Sequence, residues 1–322
     1  MQLGLSSAPT DERAILGRFI GPAGFAAALL AVGLPAQEGS SAVASQLLSS
    51  IDWQEDAADF GGLSGLALYD QGTRLVAVGD GGFLYQGRLM RDANGRLTGA
   101  KLEGTARFLD NFGKPADSFS SDAEAIRMDS DGSILVAFES YARVARFRLP
   151  DMMPQPLQHW DRFRSLWGNS GMESLALSSS GRILTIVESP SDDGSYRTLD
   201  HLGGEKWGDG PSLASDGMFS ATDADYGPDG RLYVLERDFS ALWGYRTRIS
   251  AYAPEGSGFG PPDVVLLTEP GAWGDFEGMD VWADPKGRLI ATLIADDNFL
   301  PLSPTTIAEF DLGAKTGQSG KP

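Results

Sequence analysis

The sequence predicts an all-β fold, a β-propeller with five blades visible and six as the alternative. Three observations carry this. One motif recurs five times between residues 64 and 297. Glycine, at 41 residues, and proline, at 18, supply turns for many short strands. Hydrophobic residues make up 42% of the 322 residues, so the chain can bury a core and is not disordered as a whole.

Taken from the amino terminus, Ile20 to Leu34 is an uncharged run preceded by Arg13 and Arg18. It is shorter than the roughly 20 apolar residues of a spanning helix and fits the apolar part of a secretion signal. Leu34-Pro35-Ala36 offers a cleavage site, so residues 1–36 are expected to be a signal peptide. An anchor or a buried helix is the competing reading. The single propeller domain is expected over 37–312, without a stable membrane span once the leader is removed. With no cysteine to carry a lipid, and none for disulfides, the expected location is the bacterial periplasm or the medium.

The repeat follows. Its copies are SGLALYDQGTRLVAVGD from Ser64, EAIRMDSDGSILVAFE from Glu124, ESLALSSSGRILTIVE from Glu173, TDADYGPDGRLYVLE from Thr222 and EGMDVWADPKGRLIATLIADD from Glu277. Successive copies start 60, 49, 49 and 55 residues apart. Each reads as a hairpin, since DSDG, SSSG, GPDG and DPKG carry residues that tight turns require. Further strand-like runs follow at 142–149, 248–254 and 263–269, giving up to four strands per repeat, the make-up of a propeller blade. The last copy has only a third strand, at 305–312, before the chain runs out. The segment at about 43–53 is expected to supply the fourth and close the ring, which removes open sheet edges. Residues 313–322 are expected to be a disordered tail.

Composition then narrows the chemistry. With 44 acidic against 26 basic side chains the formal charge is -18, unfavourable for nucleic acid, where affinity comes from cations on phosphates. Zero cysteines exclude thiolate metal sites and thiol nucleophiles, and the two histidines, His159 and His201, exclude a multi-histidine metal centre within one chain. No G-x-S-x-G elbow is present; Ser64 and Ser170 sit in other contexts.

The repeat also gathers acid. The first strand of a hairpin starts, and the second ends, at the same end of the sheet. The starts carry Glu124, Glu173, Asp223 and Glu277, with Asp122 and Asp275 two residues before Glu124 and Glu277. The ends carry Asp80, Glu139, Glu188, Glu236, Asp296 and Asp297, with Asn169 and Asn298 as neutral oxygens nearby. So many carboxylates at one channel mouth cannot all stay ionised without a counter-charge. A hard cation with oxygen ligands, Ca²⁺ before Mg²⁺, is the expected one. The candidate ligands are Asp80, Glu124, Glu173, Glu188, Asp223, Glu236, Glu277, Asp297 and Asn298. The competing reading is a packing device, in which a carboxylate accepts backbone N–H groups of the next blade. Asp129, Asp131, Asp229 and Asp284 are read as turn formers.

The segments DAEAI at 122–126, NSGMESLAL at 169–177, VLER at 234–237, DFEGMDV at 275–281 and IADDNF at 294–299, with GGLSGLAL at 61–68, occur in the order and spacing of a known family. The chain resembles the phytase-like propeller family, described as having esterase-like activity, over about residues 50–312. The resemblance implies a secreted or periplasmic propeller, distantly related to calcium-dependent phytases that hold a phosphomonoester with Ca²⁺ and basic residues. It implies catalytic roles for Glu124, Glu173, Glu277 and Arg237, and a terminal acidic pair at Asp297-Asn298. The sequence departs from a phytase in having few lysines, at 101, 114, 206, 286, 315 and 321, so no dense phosphate cradle can be placed.

The expected function is an exported, metal-dependent hydrolase of a small phosphate ester or other ester. The alternative is a non-catalytic periplasmic propeller, a binding or assembly module with structural ions and a protein partner. A lactonase or quinone-dependent dehydrogenase is disfavoured by the scarcity of histidine. Arg237 is expected either to clamp a substrate anion or to bridge to a neighbouring blade; Arg197 is a weaker candidate of the same kind. Trp167, Trp207, Trp243 and Trp273 are read as packing residues before pocket walls.

Overall fold

The computed structural model describes residues 46–57, 59–158, 163–166, 171–297 and 304–314. These form five four-stranded antiparallel sheets, the five blades. Blade 1 contains Leu63–Tyr69, Arg74–Gly79, Phe83–Arg91 and Leu97–Arg107. Blade 2 contains Ala123–Met128, Ile134–Phe138, Arg143–Phe147 and Gln155–Pro156. Blade 3 is less regular, with Ala176–Leu177, Ile183–Ile186, Thr198–Gly203 and Lys206–Asp209, plus a ribbon of Ser195–Tyr196 with Leu213–Ala214. Blade 4 contains Ser220–Tyr226, Leu232–Ser240, Gly244–Glu255 and Gly258–Leu267.

Blade 5 closes the ring as the sequence predicts. Its first three strands are Asp275–Ala283, Arg288–Asp296 and Thr305–Ala314, and the fourth is the amino-terminal strand Gln46–Trp53, antiparallel to the third. The third strand runs two residues past the expected end at 312, into the segment read as tail; residues 315–322 and the expected leader, 1–36, lie outside the described residues. Among the described residues no helix is long and apolar enough to cross a membrane.

Apolar side chains fill the seams between blades. Leu235 and Tyr233 of blade 4 meet Met279 and Leu293 of blade 5. Ala67 and Val78 of blade 1 meet Ile126 and Val136 of blade 2. Trp53 of the closing strand packs with Leu66, Leu75 and Ile294, locking blade 5 to blade 1. Each such fully buried large side chain contributes about 1.5–3 kcal/mol.

One local feature positions the site. The pairing of first and second strands slips by one residue at Ser64, Glu124, Thr222 and Glu277, a β-bulge at the first position of four repeat copies. A bulge leaves one residue unpaired and re-aims its side chain. The next residue is Gly65 in blade 1 and Gly278 in blade 5. A Cβ on Gly65 would stand 2.8 Å from Glu124 O, and one on Gly278 2.8 Å from Ser64 O. These glycines let neighbouring inner strands approach where the bulged side chains emerge.

Candidate functional site

Two rings of residues form the channel mouth. The first holds the first repeat positions, the bulged Ser64, Glu124, Thr222 and Glu277 and, in blade 3, Glu173 just before the paired strand Ala176–Leu177, each two residues after the position that faces the end of the second strand. The second ring is that strand end. Asp80, Glu139 and Glu188 donate their backbone N–H to Gly62 O, Asp122 O and Gly171 O at 3.2, 3.0 and 3.3 Å. Arg237 pairs with Ser220 and Asp296 with Asp275 in the same register. The second ring therefore reads Asp80, Glu139, Glu188, Arg237, Asp296.

This register corrects two assignments. The repeat pattern puts Glu236 at the strand end of blade 4, but Arg237 is the equivalent residue and Glu236 points away from the mouth. Glu236 is fully buried and accepts from Arg248 Nε and Nη2 at 2.7 Å each and from Tyr196 Oη at 2.8 Å, with Ser250 Oγ also donating. Asp223 likewise follows the bulge instead of occupying it. It binds Arg127 Nη2 at 2.8 Å and accepts Met279 N–H at 2.8 Å, so it serves as the inter-blade packing device. Asp225 and Asp280 do the same, accepting Val281 and Leu68 N–H at 2.9 and 3.0 Å. Neither Glu236 nor Asp223 is free to ligate an ion.

The remaining mouth residues form two groups. In the first, Asp80, Asp122 and Glu124 each place a carboxylate oxygen within 4.8 Å of the others. Ser64 Oγ donates to Asp80 Oδ1 at 3.3 Å and Ser140 Oγ to Asp122 Oδ2. Burial pushes the Glu124 carboxyl well above its usual range, reinforced by Glu277, Asp122 and Glu173. Partial burial, then Asp122, raises Asp80. Glu139 is pushed up to about 6 by burial and the nearby Asp122.

In the second group Arg237 supplies the counter-charge. Its Nη1 donates to Asp275 Oδ1 at 2.9 Å and Glu277 Oε1 at 2.6 Å; its Nη2 stands 3.7 Å from Glu188 and 3.9 Å from Glu173. One cation cannot neutralise four carboxylates, so the group retains protons. Glu173, the farthest from Arg237 and beside Glu188, is pushed up to about 9, first by burial. Burial and Asp275 raise Glu277 against the pull of Arg237. Arg237 itself is held more firmly protonated by Asp275, Glu277 and Glu173, in spite of its burial.

The structure thus brings together Asp80, Glu124, Glu173, Glu188, Glu277 and Arg237 among the predicted residues. Asp297 sits at the seam, where its Oδ1 accepts Gly62 N–H at 2.9 Å and its Oδ2 accepts from Thr305 Oγ1 at 3.1 Å. Asn298, Asn169, Ser170, Trp167 and His159 lie outside the described residues. Asp122 and Asp275 join the groups, and Glu139 stands beside Asp122; the repeat puts all three on the rim without marking them as ligands or catalytic groups. The bulge register is the signal that singles them out. His201 bonds to Gly204 O at 2.8 Å and lies beside Trp207, the two rings tilted by 53°, in an outer hairpin of blade 3. Arg197 pairs with Asp209 at 2.9 Å. Trp207 and Trp273 are packing residues, against Phe163 and against Phe276 and Phe310, whereas Trp243 is 65% exposed.

Comparison with known proteins adds the following. The profile of the family described as "Phytase-like: Esterase-like activity of phytase" matches residues 58–299. A search of curated proteins found no match. Similar solved structures include a gluconolactonase from Xanthomonas campestris, 10% identical, TM-score 0.46, covering 78% of this chain and 86% of that one. A calcium structure of a Trichoderma reesei carbohydrate-active enzyme of family AA12 is 12% identical, TM-score 0.43, covering 76% and 80%. The PQQ-bound aldose sugar dehydrogenase from Streptomyces coelicolor is 12% identical, TM-score 0.42, covering 81% and 97%.

Proposed function

The chain belongs to the phytase-like family, and from that membership and the geometry of the mouth we propose an exported hydrolase of phosphate or other esters that works with Ca²⁺. The observation that carries the proposal is the trio Asp80, Asp122 and Glu124, whose oxygens lie within 4.8 Å of one another. Among the described residues no cationic side chain pairs with any of them. Their donor set fits a hard divalent cation: all oxygen, triply charged when ionised, and drawn from two blades. That looser arrangement suits Ca²⁺ better than the strict octahedron of Mg²⁺. Such an ion would polarise an ester oxygen and acidify a bound water.

The chain's own groups divide the proton work. Glu139, with a pKa of about 6, is ionised near neutrality yet basic enough to take a proton from water. Glu173, at about 9, keeps its proton under the same conditions and can give it to the oxygen of the departing alkoxide, which leaves as the alcohol. Arg237 fixes Glu277 and Asp275, which hold the charge around Glu173. Water and ester are consumed; acid and alcohol are released. The apolar run Ile20–Leu34 supports export.

The test is a purified chain assayed on phosphate esters, aryl esters and lactones, with Ca²⁺ and with a strong chelator. Turnover that requires Ca²⁺ and is lost in Glu173→Gln supports the proposal. Full turnover in chelator rejects the metal role. A panel of substrates left untouched by the Ca²⁺-loaded chain favours a non-catalytic propeller.

A further inference from the structure

Outward from the mouth, over blade 2, lies a cavity of about 330 Å³ with an apolar wall of Leu109, Ala145, Pro154 and Pro156. Its cation is Arg143. The guanidinium stacks 3.6 Å from the centre of the Phe138 ring. Its Nη1 donates to Tyr141 O at 3.2 Å and its Nη2 to Ser120 O. A guanidinium has five N–H donors, so three are left by these two bonds. Among the described residues no carboxylate forms an ion pair with Arg143, whereas Arg91, Arg127, Arg146, Arg182 and Arg248 each hold one. Burial pulls its pKa down to about 10 against the weaker opposing pull of Tyr141 and Asp117, leaving it charged at neutral pH.

A second donor faces the same cavity. Gln158 is 4% exposed, and its Oε1 accepts Val144 N–H at 3.0 Å, which leaves its NH₂ group as a donor. Two acids stand at the lip. Asp110 is engaged by its own turn, accepting Phe112 and Lys114 N–H at 2.8 and 2.9 Å, and Glu205 is exposed on a hairpin of blade 3.

We propose that this cavity binds a small apolar molecule through a carboxylate, paired with Arg143 and Gln158 and with its apolar body against the Leu109–Pro156 wall. A single guanidinium matches the planar, singly charged carboxylate in bidentate fashion. A phosphate dianion would bring a second charge towards Asp110 and Glu205 with no further cation to meet it. The cavity is at the small end of the range for ligand sites, which fits a molecule the size of benzoate. The site is independent of the hydrolysis proposed above.

The experiment is calorimetric titration of the intact chain with benzoate and, separately, with inorganic phosphate, repeated on Arg143→Gln and Gln158→Leu. One benzoate should bind per chain, phosphate should bind more weakly, and Arg143→Gln should weaken benzoate by about tenfold or more. Should Arg143→Gln fail to fold, the Arg143 Nε–H resonance of the wild-type chain should shift with benzoate. The proposal is overturned by no benzoate binding to the wild-type chain, by binding unchanged in folded Arg143→Gln, by tighter phosphate binding, or by an unmoved Nε–H resonance.

Discussion

Arg237 Nη1 donates to Glu277 Oε1 at 2.6 Å across the seam between blades 4 and 5. The same guanidinium reaches Asp275 of blade 5 and, more distantly, Glu173 and Glu188 of blade 3. A single arginine thus ties three blades at the point of greatest like-charge density. Its neighbour Glu236 pairs instead with Arg248 inside blade 4, so the VLER motif splits into one residue for the mouth and one for the core.

Replacing Arg237 by Met should therefore leave several carboxylates uncompensated. Breaking a buried pair costs about 3–5 kcal/mol, and the 21% exposure of Arg237 puts the expected loss near the lower figure, about 3 kcal/mol. Urea unfolding of the two chains in chelator measures it. The loss should shrink in mildly acidic buffer, where the carboxylates take up protons; an equal loss under acid and alkaline conditions would count against the electrostatic origin.

The metal-free chain should lose stability as pH rises. Glu139 and Glu173 have folded pKa values of about 6 and about 9, above the ordinary 4.5. The folded state then binds more protons than the unfolded chain in this window. The stabilisation from these two groups is fully present below about 4.5 and is lost through about 6 and about 9. Thermal melting across that window, with chelator, checks the sign; a rising melting temperature would contradict it.

Calcium should reverse part of that trend, because it binds the ionised carboxylates. At about a hundredfold excess over its Kd, a ligand specific to the folded state adds about 2.7 kcal/mol. Asp80→Asn and Glu124→Gln should each reduce the Ca²⁺-induced rise in melting temperature. A rise of full size in both variants would place the ion elsewhere.

Much of this was legible in the sequence, and the misplaced parts share one cause. Hairpin turns and repeat spacing gave the five blades and the closing strand, because strand alternation and turn chemistry are local. The register at the start of each inner strand is not local: it depends on bulges at Ser64, Glu124, Thr222 and Glu277. A one-residue slip turns a side chain to the other face. Hence the repeat pattern alone puts Glu124 and Glu277 at the mouth, where the structure has them, and puts Asp223 and Glu236 there too, each one residue out of register. A bridge from Arg237 to a neighbouring blade is one of the two readings the sequence leaves open; that one guanidinium reaches four carboxylates of blades 3 and 5 depends on three blades being in place.

The inner cluster gives a contrasting expectation. Asp223 is fully buried on Arg127 at 2.8 Å, and Arg127 also bonds to Ala224, Leu66 and Ile126 carbonyls. Asp223→Asn should destabilise the fold by about 3 kcal/mol, the lower end of the cost of breaking a buried pair, because Asp225 remains 3.4 Å from the guanidinium. Its Ca²⁺-induced melting shift should equal that of the wild-type chain. Loss of that shift would return Asp223 to the list of ligands.

Glu139 provides the sharpest test of the catalytic proposal. It occupies the strand-end position of blade 2, equivalent to Asp80 in blade 1 and Arg237 in blade 4. Its backbone N–H is bonded to Asp122 O at 3.0 Å, and its carboxyl, near enough to Asp122 to be raised by it, accepts the Gly171 N–H, so it stands beside the trio without belonging to it. A base in that position must be ionised to act, so turnover of the Ca²⁺-loaded chain should rise with pH along a limb whose midpoint lies below the metal-free Glu139 value of about 6. Bound Ca²⁺ lowers it by favouring the carboxylate. Glu139→Gln removes the base and keeps the shape; the expected result is a fall in kcat of at least about a hundredfold, within the range that general bases contribute. The Ca²⁺-induced melting shift should survive, since Asp80, Asp122 and Glu124 remain. If Glu139→Gln retains wild-type kcat and the same acid limb, the proton passes to another group, and Glu139 is a structural member of the rim.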